Sequence, residues 1–181
     1  MGEHDCRQTI SSYYGRGDTA TRVINAIREA GINLDNVTAA DLAPFDNLHA
    51  RGRAGTIELA EHMGLVPASH VLDIGGGIGG AARTLAAEFG CVVVVLDLTA
   101  EFCELGAMLT ALTRLNGQVS FRVGNALAAP FPDGSFDAVW MQGVGMNIPD
   151  KARLYTEIHR LLAPGGRYAL QEAMSGAVSP P

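Results

Sequence analysis

The chain has 181 residues, of which 48% are hydrophobic and 18% are charged, and its formal net charge is −6. This length is sufficient for one domain with a substantial core, and the composition is ordinary for a soluble α/β protein. The negative charge, with no run of lysine or arginine, excludes the basic surface that binding to nucleic acid requires.

The cysteines indicate a reducing compartment. Cys6, Cys91 and Cys103 form no C-x-x-C pair and are odd in number. The first residues are polar and no apolar run reaches the length of a membrane span. We therefore expect a cytoplasmic protein without a signal peptide. No metal-ligating cluster is visible, so we expect no metal site.

The N-terminal part of the chain is predicted to be helical. Residues 19–30 form an amphipathic pattern, residues 38–41 have capping-box spacing that predicts another short turn, and residues 53–63 form a further helical segment. A glycine follows the first and the last of these segments, as is common at helix ends. We divide the chain into an N-terminal helical lid and substrate region, 1–66, and a Rossmann-like domain, 67–181.

Strands and helices alternate after this region. The predicted strands are 71–74, 92–97, 119–123, 136–141 and 167–172, and the predicted helices are 79–89, 100–116 and 150–162. Such alternation predicts a doubly wound, mainly parallel sheet of Rossmann-like α/β type, with right-handed crossovers. The all-apolar second strand fits a sheet that is covered on both faces.

A glycine cluster between the first strand and the next helix predicts a nucleotide-like ligand, because glycines let the backbone come close to it. Gly75, Gly77 and Gly80 fit the dinucleotide pattern G-x-G-x-x-G. Gly75, Gly77 and Gly79 also fit G-x-G-x-G, with Asp73 two residues ahead. A carboxylate there suits S-adenosylmethionine, which carries a sulfonium and an ammonium, better than a pyrophosphate. On this pattern alone both cofactor classes stay open.

Asp97 ends the second predicted strand. An acidic side chain at this position can accept hydrogen bonds from both ribose hydroxyls of a nucleotide. Both cofactor classes contain that ribose. Asp97 therefore supports the fold and a ribose site more than it decides between the ligands.

Further motifs follow in order. They are Val71 to Gly80, Asp97-Leu98-Thr99, Gly124-Asn125-Ala126, Pro130 to Asp137, Met146 to Lys151 and Leu162 to Gly166. With these motifs the sequence, from about Asp41 onward, resembles class I S-adenosylmethionine-dependent methyltransferases. Within that class it is similar to the group that contains the quinone, tocopherol and sterol C-methyltransferases and many bacterial small-molecule methyltransferases.

The resemblance implies methyl transfer from S-adenosylmethionine to a small-molecule acceptor by in-line displacement, with S-adenosylhomocysteine as the product. It also implies a seven-stranded sheet, whereas we count five strands, so we expect the C-terminal strands to be absent. A second copy or a partner chain could complete the sheet. The alternative is a non-catalytic or truncated S-adenosylmethionine-binding module that needs a partner chain.

The resemblance assigns cofactor contacts to specific residues. Asp73 would face the ammonium end of the cofactor, Gly75, Gly77 and Gly79 would contact it, and Leu98 would cover the adenine or ribose face. Asn125 and Ala126 follow the third strand, where the family usually has an aspartate that accepts from the adenine amino group. The amide oxygen of Asn125 can accept the same bond without a charge, so we expect weaker binding.

Other residues are candidates for catalysis or for the ends of the cofactor. Gln142 follows the fourth strand at the sheet edge where ligands bind, and we treat it as both a cofactor-binding and a catalytic candidate. His49 is the best-placed general base, because an imidazole titrates near neutral pH. Arg53 would pair with the cofactor carboxylate. Tyr13 and Tyr14 resemble an N-terminal lid.

Overall fold

The computed structural model describes residues 19–47 and 49–173. Tyr13 and Tyr14, which were predicted to belong to a lid, lie outside the described residues. Within the described ranges, none of the helices combines the length and the apolar character that crossing a bilayer requires.

The described residues fold around one sheet of five strands. These are β1 (His70–Ile74), β2 (Val92–Asp97), β3 (Val119–Val123), β4 (Phe136–Gln142) and β5 (Leu162–Gln171). The strands are all parallel and lie in the order β3-β2-β1-β4-β5. This order has a switch point beside β1, as doubly wound sheets do. The predicted Rossmann-like α/β fold is confirmed, and the sheet is short of seven strands.

Six α-helices accompany the sheet within the described residues. They are α1 (Thr19–Glu29), α2 (Ala39–Asp46), α3 (Gly52–Met63), α4 (Gly80–Phe89), α5 (Ala100–Leu112) and α6 (Lys151–Leu161). Two short 3₁₀ helices cover Leu34–Asn36 and Gly145–Asn147. Helix α3 packs against α4, while α5 lies beside β3 and β2 and α6 contacts β4 and β5.

The core lies on both faces of the sheet. Successive side chains of a strand point to opposite faces. Val71 therefore packs with Leu85 on the face covered by α3 and α4, and Leu72 packs with Leu154 on the face covered by α6. A third cluster joins α1 and α2 to α5 through residues that include Leu42. The N-terminal helices are thereby fixed near the carboxyl ends of the strands.

Three elements differ from the prediction by more than one residue. Helix α5 ends at Leu112, not at residue 116, and Arg114 then adopts a positive φ of 60°, which a helix cannot continue. Strand β5 begins at Leu162, where residue 167 was predicted, and the register shifts between Phe136 and Ala138 of its partner strand. The short turn predicted at residues 38–41 is the capped start of α2, an eight-residue helix.

A buried ion pair joins α2 to α4. Arg83 Nη2 lies 2.7 Å from Asp46 Oδ2, and both side chains are almost completely buried. The same guanidinium donates to the carbonyl oxygens of Ile78 and Gly106 and to Thr110 Oγ1. A charge this far from water is tolerated only when it is paired and hydrogen-bonded. This pair therefore holds the C-terminal end of α2 against α4.

Candidate functional site

A cavity of about 1060 Å³ opens at the carboxyl edge of the sheet. It lies among the loops that follow β1, β2, β3 and β4 and beneath helices α1 and α2. Parallel α/β sheets bind ligands at this edge, outside the switch point of the strand order. Nine predicted site residues line it: His49, Asp73, Gly75, Gly77, Asp97, Leu98, Asn125, Ala126 and Gln142. Gly79 and Arg53 are not among its lining residues.

Asp73 has a buried carboxyl group with a strongly raised pKa. It is fully buried at the end of β1, and its Oδ2 atom has no hydrogen-bond partner. Burial, together with the nearby carboxylate of Asp97, raises the pKa of Asp73 to about 8. An unpartnered carboxylate in such a place is stabilised by a cation. This is the environment that a cationic ligand would complete.

The glycine turn leaves space for that carboxylate and for a ligand. A Cβ atom at Gly76 would overlap Asp73 Oδ2, and one at Gly75 would come within 2.5 Å of Val144. Gly77 has a φ of 56° and has no atom within 4 Å of its would-be Cβ, so its backbone faces open space. Gly79 also has a positive φ, but a Cβ there would meet Phe121 at 2.6 Å. Gly79 therefore serves the packing behind the turn.

Asp97 connects two loops at the cavity edge. Its carboxylate accepts from the backbone N–H groups of Gly77 at 3.0 Å and Thr99 at 2.9 Å. Burial raises the pKa of Asp97, while these two hydrogen bonds oppose the rise. A carboxylate has further lone pairs, so these bonds leave capacity for a ligand hydroxyl. Leu98, the next residue, also lines the cavity.

Asn125 is engaged in a local turn at the end of β3. Its Oδ1 atom accepts from the N–H of Leu127 at 3.1 Å, and its own carbonyl accepts from the N–H of Ala128. Ala126 is buried beside it and lines the same cavity. An amide oxygen can accept two hydrogen bonds. The turn therefore occupies part, but not all, of the accepting capacity of Asn125.

Gln142 is the centre of a buried polar network. Its Oε1 atom accepts from Trp140 Nε1 at 2.7 Å and from Thr56 Oγ1 at 3.0 Å. Its Nε2 atom donates to Gln171 Oε1 at 2.5 Å and lies 3.5 Å from His49 Nδ1. Because both ends of the amide are held, Gln142 is suited to orienting its neighbours and not to moving a proton.

His49 lies against this network. Its Nε2 atom is 3.2 Å from Thr56 Oγ1, and its Nδ1 atom is 3.2 Å from the carbonyl oxygen of Ala50. Burial lowers the pKa of His49 below its usual value of 6.5. A neutral imidazole at neutral pH is the protonation state that a general base needs.

Arg53 lies away from the cavity. Its Nη2 atom forms an ion pair of 2.5 Å with Glu88 of α4. The prediction that Arg53 meets a cofactor carboxylate does not agree with this placement. Arg22 of α1 lines the cavity and contributes a guanidinium there. The sequence did not predict Arg22 as a site residue, because α1 has no motif that indicates where this helix packs.

Glu172 is a further residue that the sequence prediction missed. Its Oε1 atom accepts from the N–H groups of Val144 at 3.0 Å and Gly145 at 2.5 Å, and its buried Oε2 atom has no partner. Lys151 Nζ holds the same loop from the other side through the carbonyl oxygens of Gly145 and Ile148. An acidic residue just after β5, at the same edge as Asp73 and Asp97, was the available signal.

No group of three or more His, Cys, Asp or Glu side chains within residues 19–47 and 49–173 is arranged to hold a metal ion. Asp73 and Asp97 are two acidic residues that line the cavity, and the second of them is held by backbone N–H groups. The donor set therefore suits a cationic organic ligand with hydroxyl groups.

Comparison with known proteins agrees with this geometry. Residues 72–170, more than half of the chain, match the family model described as a methyltransferase domain. The match begins in β1 and ends in β5, so it includes the glycine turn and the strand ends that line the cavity. The chain belongs to this methyltransferase family.

Named relatives are methyltransferases of small molecules. The chain is 39% identical over 125 residues to a probable chloroplastic tocopherol O-methyltransferase of Oryza sativa subsp. japonica, covering 66% of this chain and 34% of that protein. It is 37% identical over 122 residues to a 2-methyl-6-phytyl-1,4-hydroquinone methyltransferase of Synechocystis, covering 67% of this chain and 36% of that protein. The chain thus spans about a third of the length of these curated relatives.

A solved structure has a similar fold. It is the geranyl diphosphate C-methyltransferase of Streptomyces coelicolor in complex with Mg²⁺, geranyl diphosphate and S-adenosyl-L-homocysteine. The identity is 31% and the TM-score is 0.61, with 65% of this chain and 44% of that chain covered.

Proposed function

We propose that this chain binds S-adenosylmethionine and transfers its methyl group to a small-molecule acceptor. The observation that carries the proposal is the buried, unpartnered carboxylate of Asp73 beneath a glycine turn. A ligand with an ammonium and a sulfonium supplies the positive charge that this carboxylate lacks. The alternative of a non-catalytic binding module is not favoured, because the named relatives are methyltransferases.

The predicted contacts can be distributed along the cavity. Asp73 would hold the ammonium end, and Asp97 would accept from the ribose hydroxyls while it keeps its bonds to the two loops. Leu98 and Ala126 would cover the adenine, and the free lone pair of Asn125 Oδ1 would accept from the adenine amino group. Gly75 and Gly77 allow close approach of the backbone.

The chemistry asks little of the protein beyond positioning. A sulfonium methyl group is already activated, so the chain must align a nucleophile with it and exclude water. His49 is proposed as the general base for an acceptor that loses a proton, and Gln142 as the residue that orients it. The N-terminal region 1–66, of which α1 and α2 line the cavity, is proposed to cover the acceptor.

The proposed acceptor is a small molecule with an apolar portion. Phe45, Val144, Met146 and Ile148 are apolar residues of the cavity lining. The named relatives act on tocopherol and on a phytyl hydroquinone, which are compounds of this kind. The cavity volume, about 1060 Å³, lies just above the range of roughly 300–1,000 Å³ for ligand pockets, which leaves space for an acceptor beside the cofactor.

Calorimetric titration with S-adenosylmethionine tests the proposal. We expect the wild-type chain to bind, and Asp73→Asn to bind at least tenfold more weakly, which corresponds to about 1.4 kcal/mol. Asp35→Asn is the matched control, because Asp35 is exposed and does not line the cavity. A folded wild-type chain that takes up no S-adenosylmethionine would overturn the proposal.

We also propose a reducing, cytoplasmic location and self-association or a partner chain at the edge of the sheet. Cys91 and Cys103 are buried free thiols, as expected where disulfides do not form. Within the described residues β5 pairs on one side only, and an edge strand presents unpaired backbone groups to a neighbour. Light scattering across a dilution series would test association: a constant monomer mass contradicts a second copy.

A further inference from the structure

Five polar side chains meet beneath the cavity, on α3, β4, β5 and the turn before α3. They are Trp140, Gln142, Thr56, His49 and Gln171, and the contacts between them range from 2.5 to 3.5 Å. Thr56 is fully buried and does not itself line the cavity. Because it contacts His49 and Gln142, which both line the cavity, it can act on the cavity only through these neighbours.

The hydrogen-bond donors of this network can be assigned by starting from Trp140, because its side chain can only donate. An indole N–H only donates, so the Gln142 atom that faces Trp140 is the amide oxygen. The amide nitrogen then faces Gln171 and His49. Thr56 has one hydroxyl proton, and donating it to Gln142 Oε1 leaves the Thr56 oxygen as an acceptor toward His49 Nε2.

This assignment favours one tautomer of the neutral imidazole. With the proton on Nε2, His49 donates to Thr56, and its Nδ1 lone pair faces the amide N–H of Gln142. The one unfavourable contact is then between Nδ1 and the carbonyl oxygen of Ala50, which is exposed. With the proton on Nδ1, two contacts become unfavourable. The Nδ1–H group then faces the amide N–H of Gln142, so two donors meet. The Thr56 hydroxyl must donate to Nε2, and its oxygen then faces Gln142 Oε1 without a proton between them. The second of these is buried, where such a mismatch costs most.

The same geometry keeps most of its hydrogen bonds once a proton arrives at Nδ1. The imidazolium donates from Nδ1 to the Ala50 carbonyl and from Nε2 to Thr56, and Thr56 still donates to Gln142. Only the contact of 3.5 Å between Nδ1 and the amide nitrogen of Gln142, the longest in the network, then joins two donors. The Thr56 hydroxyl does not have to rotate, and an arrangement that needs little reorganisation is suited to receiving a proton during a reaction.

We infer that Thr56 is a positioning residue that fixes His49 as the Nε2–H tautomer and makes Nδ1 the atom that accepts a proton from the methyl acceptor. This inference rests on the proposed function. The acceptor atom forms a bond to the methyl carbon while the carbon–sulfur bond breaks, and its electron pair stays on sulfur. The proton of the acceptor moves to Nδ1, so the positive charge of the sulfonium ends on His49. The acceptor is therefore one whose nucleophilic atom carries a proton.

Nitrogen-15 NMR of the histidine-labelled full chain at pH 8 tests this inference without knowledge of the acceptor. The wild-type spectrum is expected to show His49 protonated on Nε2 and unprotonated on Nδ1. Thr56→Val is expected to move the proton to Nδ1, where the Ala50 carbonyl accepts it, while Thr56→Ser keeps the wild-type tautomer. Thr84→Val is the matched control, because Thr84 is a buried helical threonine that donates to Gly80 instead.

A wild-type spectrum with the proton on Nδ1 would overturn the inference, even if Thr56→Val did not fold. An unchanged tautomer in folded Thr56→Val would do the same. Titration with S-adenosylmethionine separates the two proposals, because Thr56 lies outside the cavity lining. Failure of the wild-type chain to bind would overturn the proposed function, whereas the tautomer decides the role of Thr56.

Discussion

At the scale of single residues, Asp73 makes the stability of the ligand-free chain depend on pH. Its folded pKa is raised to about 8, above its ordinary value of 3.8, because burial disfavours the charged form. Such a carboxyl contributes stability that is complete below its unfolded pKa and is lost as the pH rises through its folded pKa. We therefore expect Asp73→Asn to raise the free energy of unfolding at pH 9, by at most about 6 kcal/mol, with the gain shrinking toward pH 4.

Urea unfolding of both chains between pH 4 and pH 9 measures this difference. Asp35→Asn is again the control, since an exposed carboxylate has little to gain from losing its charge. If Asp73→Asn gave the same stability difference at every pH in this range, the carboxyl would not be titrating as described. The same substitution is expected to weaken cofactor binding, so function and stability of the empty site are expected to change in opposite directions.

Ala68 is an exposed residue with an unfavourable backbone conformation. Its φ is 67°, in the left-handed region, and its N–H donates to the carbonyl of Gly90 at 2.8 Å. A Cβ atom is costly in this region, and glycine adopts it freely. Ala68→Gly is therefore expected to raise the free energy of unfolding by about 0.5–1 kcal/mol.

Ala152→Gly, at an exposed position in α6, is the matched control. There the backbone is helical, so the substitution is expected to lower the free energy of unfolding by about 1 kcal/mol. Thermal and urea unfolding distinguish the two signs. A loss of stability in both variants would show that the strain at Ala68 is not relieved by glycine.

At the scale of elements, the buried pair of Arg83 and Asp46 couples α2 to α4. Removing one partner leaves an uncompensated buried charge, which costs about 3–5 kcal/mol. We expect Arg83→Met and Asp46→Asn each to destabilise the chain by about this amount, and the double variant by clearly less than the sum of the two. Urea unfolding of the four chains completes the cycle, and additive losses would contradict a direct coupling.

Most elements followed from periodicity and from glycine positions. Strands β1, β2 and β4 are mostly apolar because they are buried between helices, so their apolar residues were enough to identify them in the sequence. The end of α5 and the start of β5 were less predictable. Arg114, which follows α5, adopts a positive φ that cannot be predicted from an arginine. The early start of β5 depends on pairing with Phe136, a contact between distant parts of the chain.

The site likewise contains residues that the sequence predicts and residues that depend on how the helices and strands pack. Asp73 and Asp97 were predictable because each ends a strand, and parallel strands bring such residues to one edge of the sheet. The partner of Arg53 was not, because Glu88 lies on another helix and the docking of α3 against α4 decides the contact. The network around Gln142 likewise depends on Thr56 and Gln171, which only the folded chain brings together.

At the scale of the whole molecule, the strand order predicts where the fold is least mobile. β1 lies at the centre, with β2 and β4 beside it, whereas β3 and β5 are edges within the described sheet. We expect the slowest amide hydrogen exchange in β1. S-adenosylmethionine is expected to slow exchange further in the loops at residues 74–79 and 96–99, where Asp97 already holds Gly77 and Thr99.

Mass spectrometry of exchanged peptides, with and without S-adenosylmethionine, measures this effect. Peptides from α6 serve as the internal reference, because no residue of that helix lines the cavity. Slowing that appeared in α6 but not in the two loops would contradict the proposed position of the cofactor.

The ion pair between Arg83 and Asp46 also has a consequence for synthesis on the ribosome. Asp46 emerges first, but its partner follows 37 residues later. The carbonyl of Gly106 and the hydroxyl of Thr110, which complete the surroundings of the guanidinium, emerge later still. Asp46 at the end of α2 therefore has no charged partner until residue 83 has been made. The surroundings of that pair are complete only after α5 has been translated, so the newborn chain fixes α2 over its binding site late.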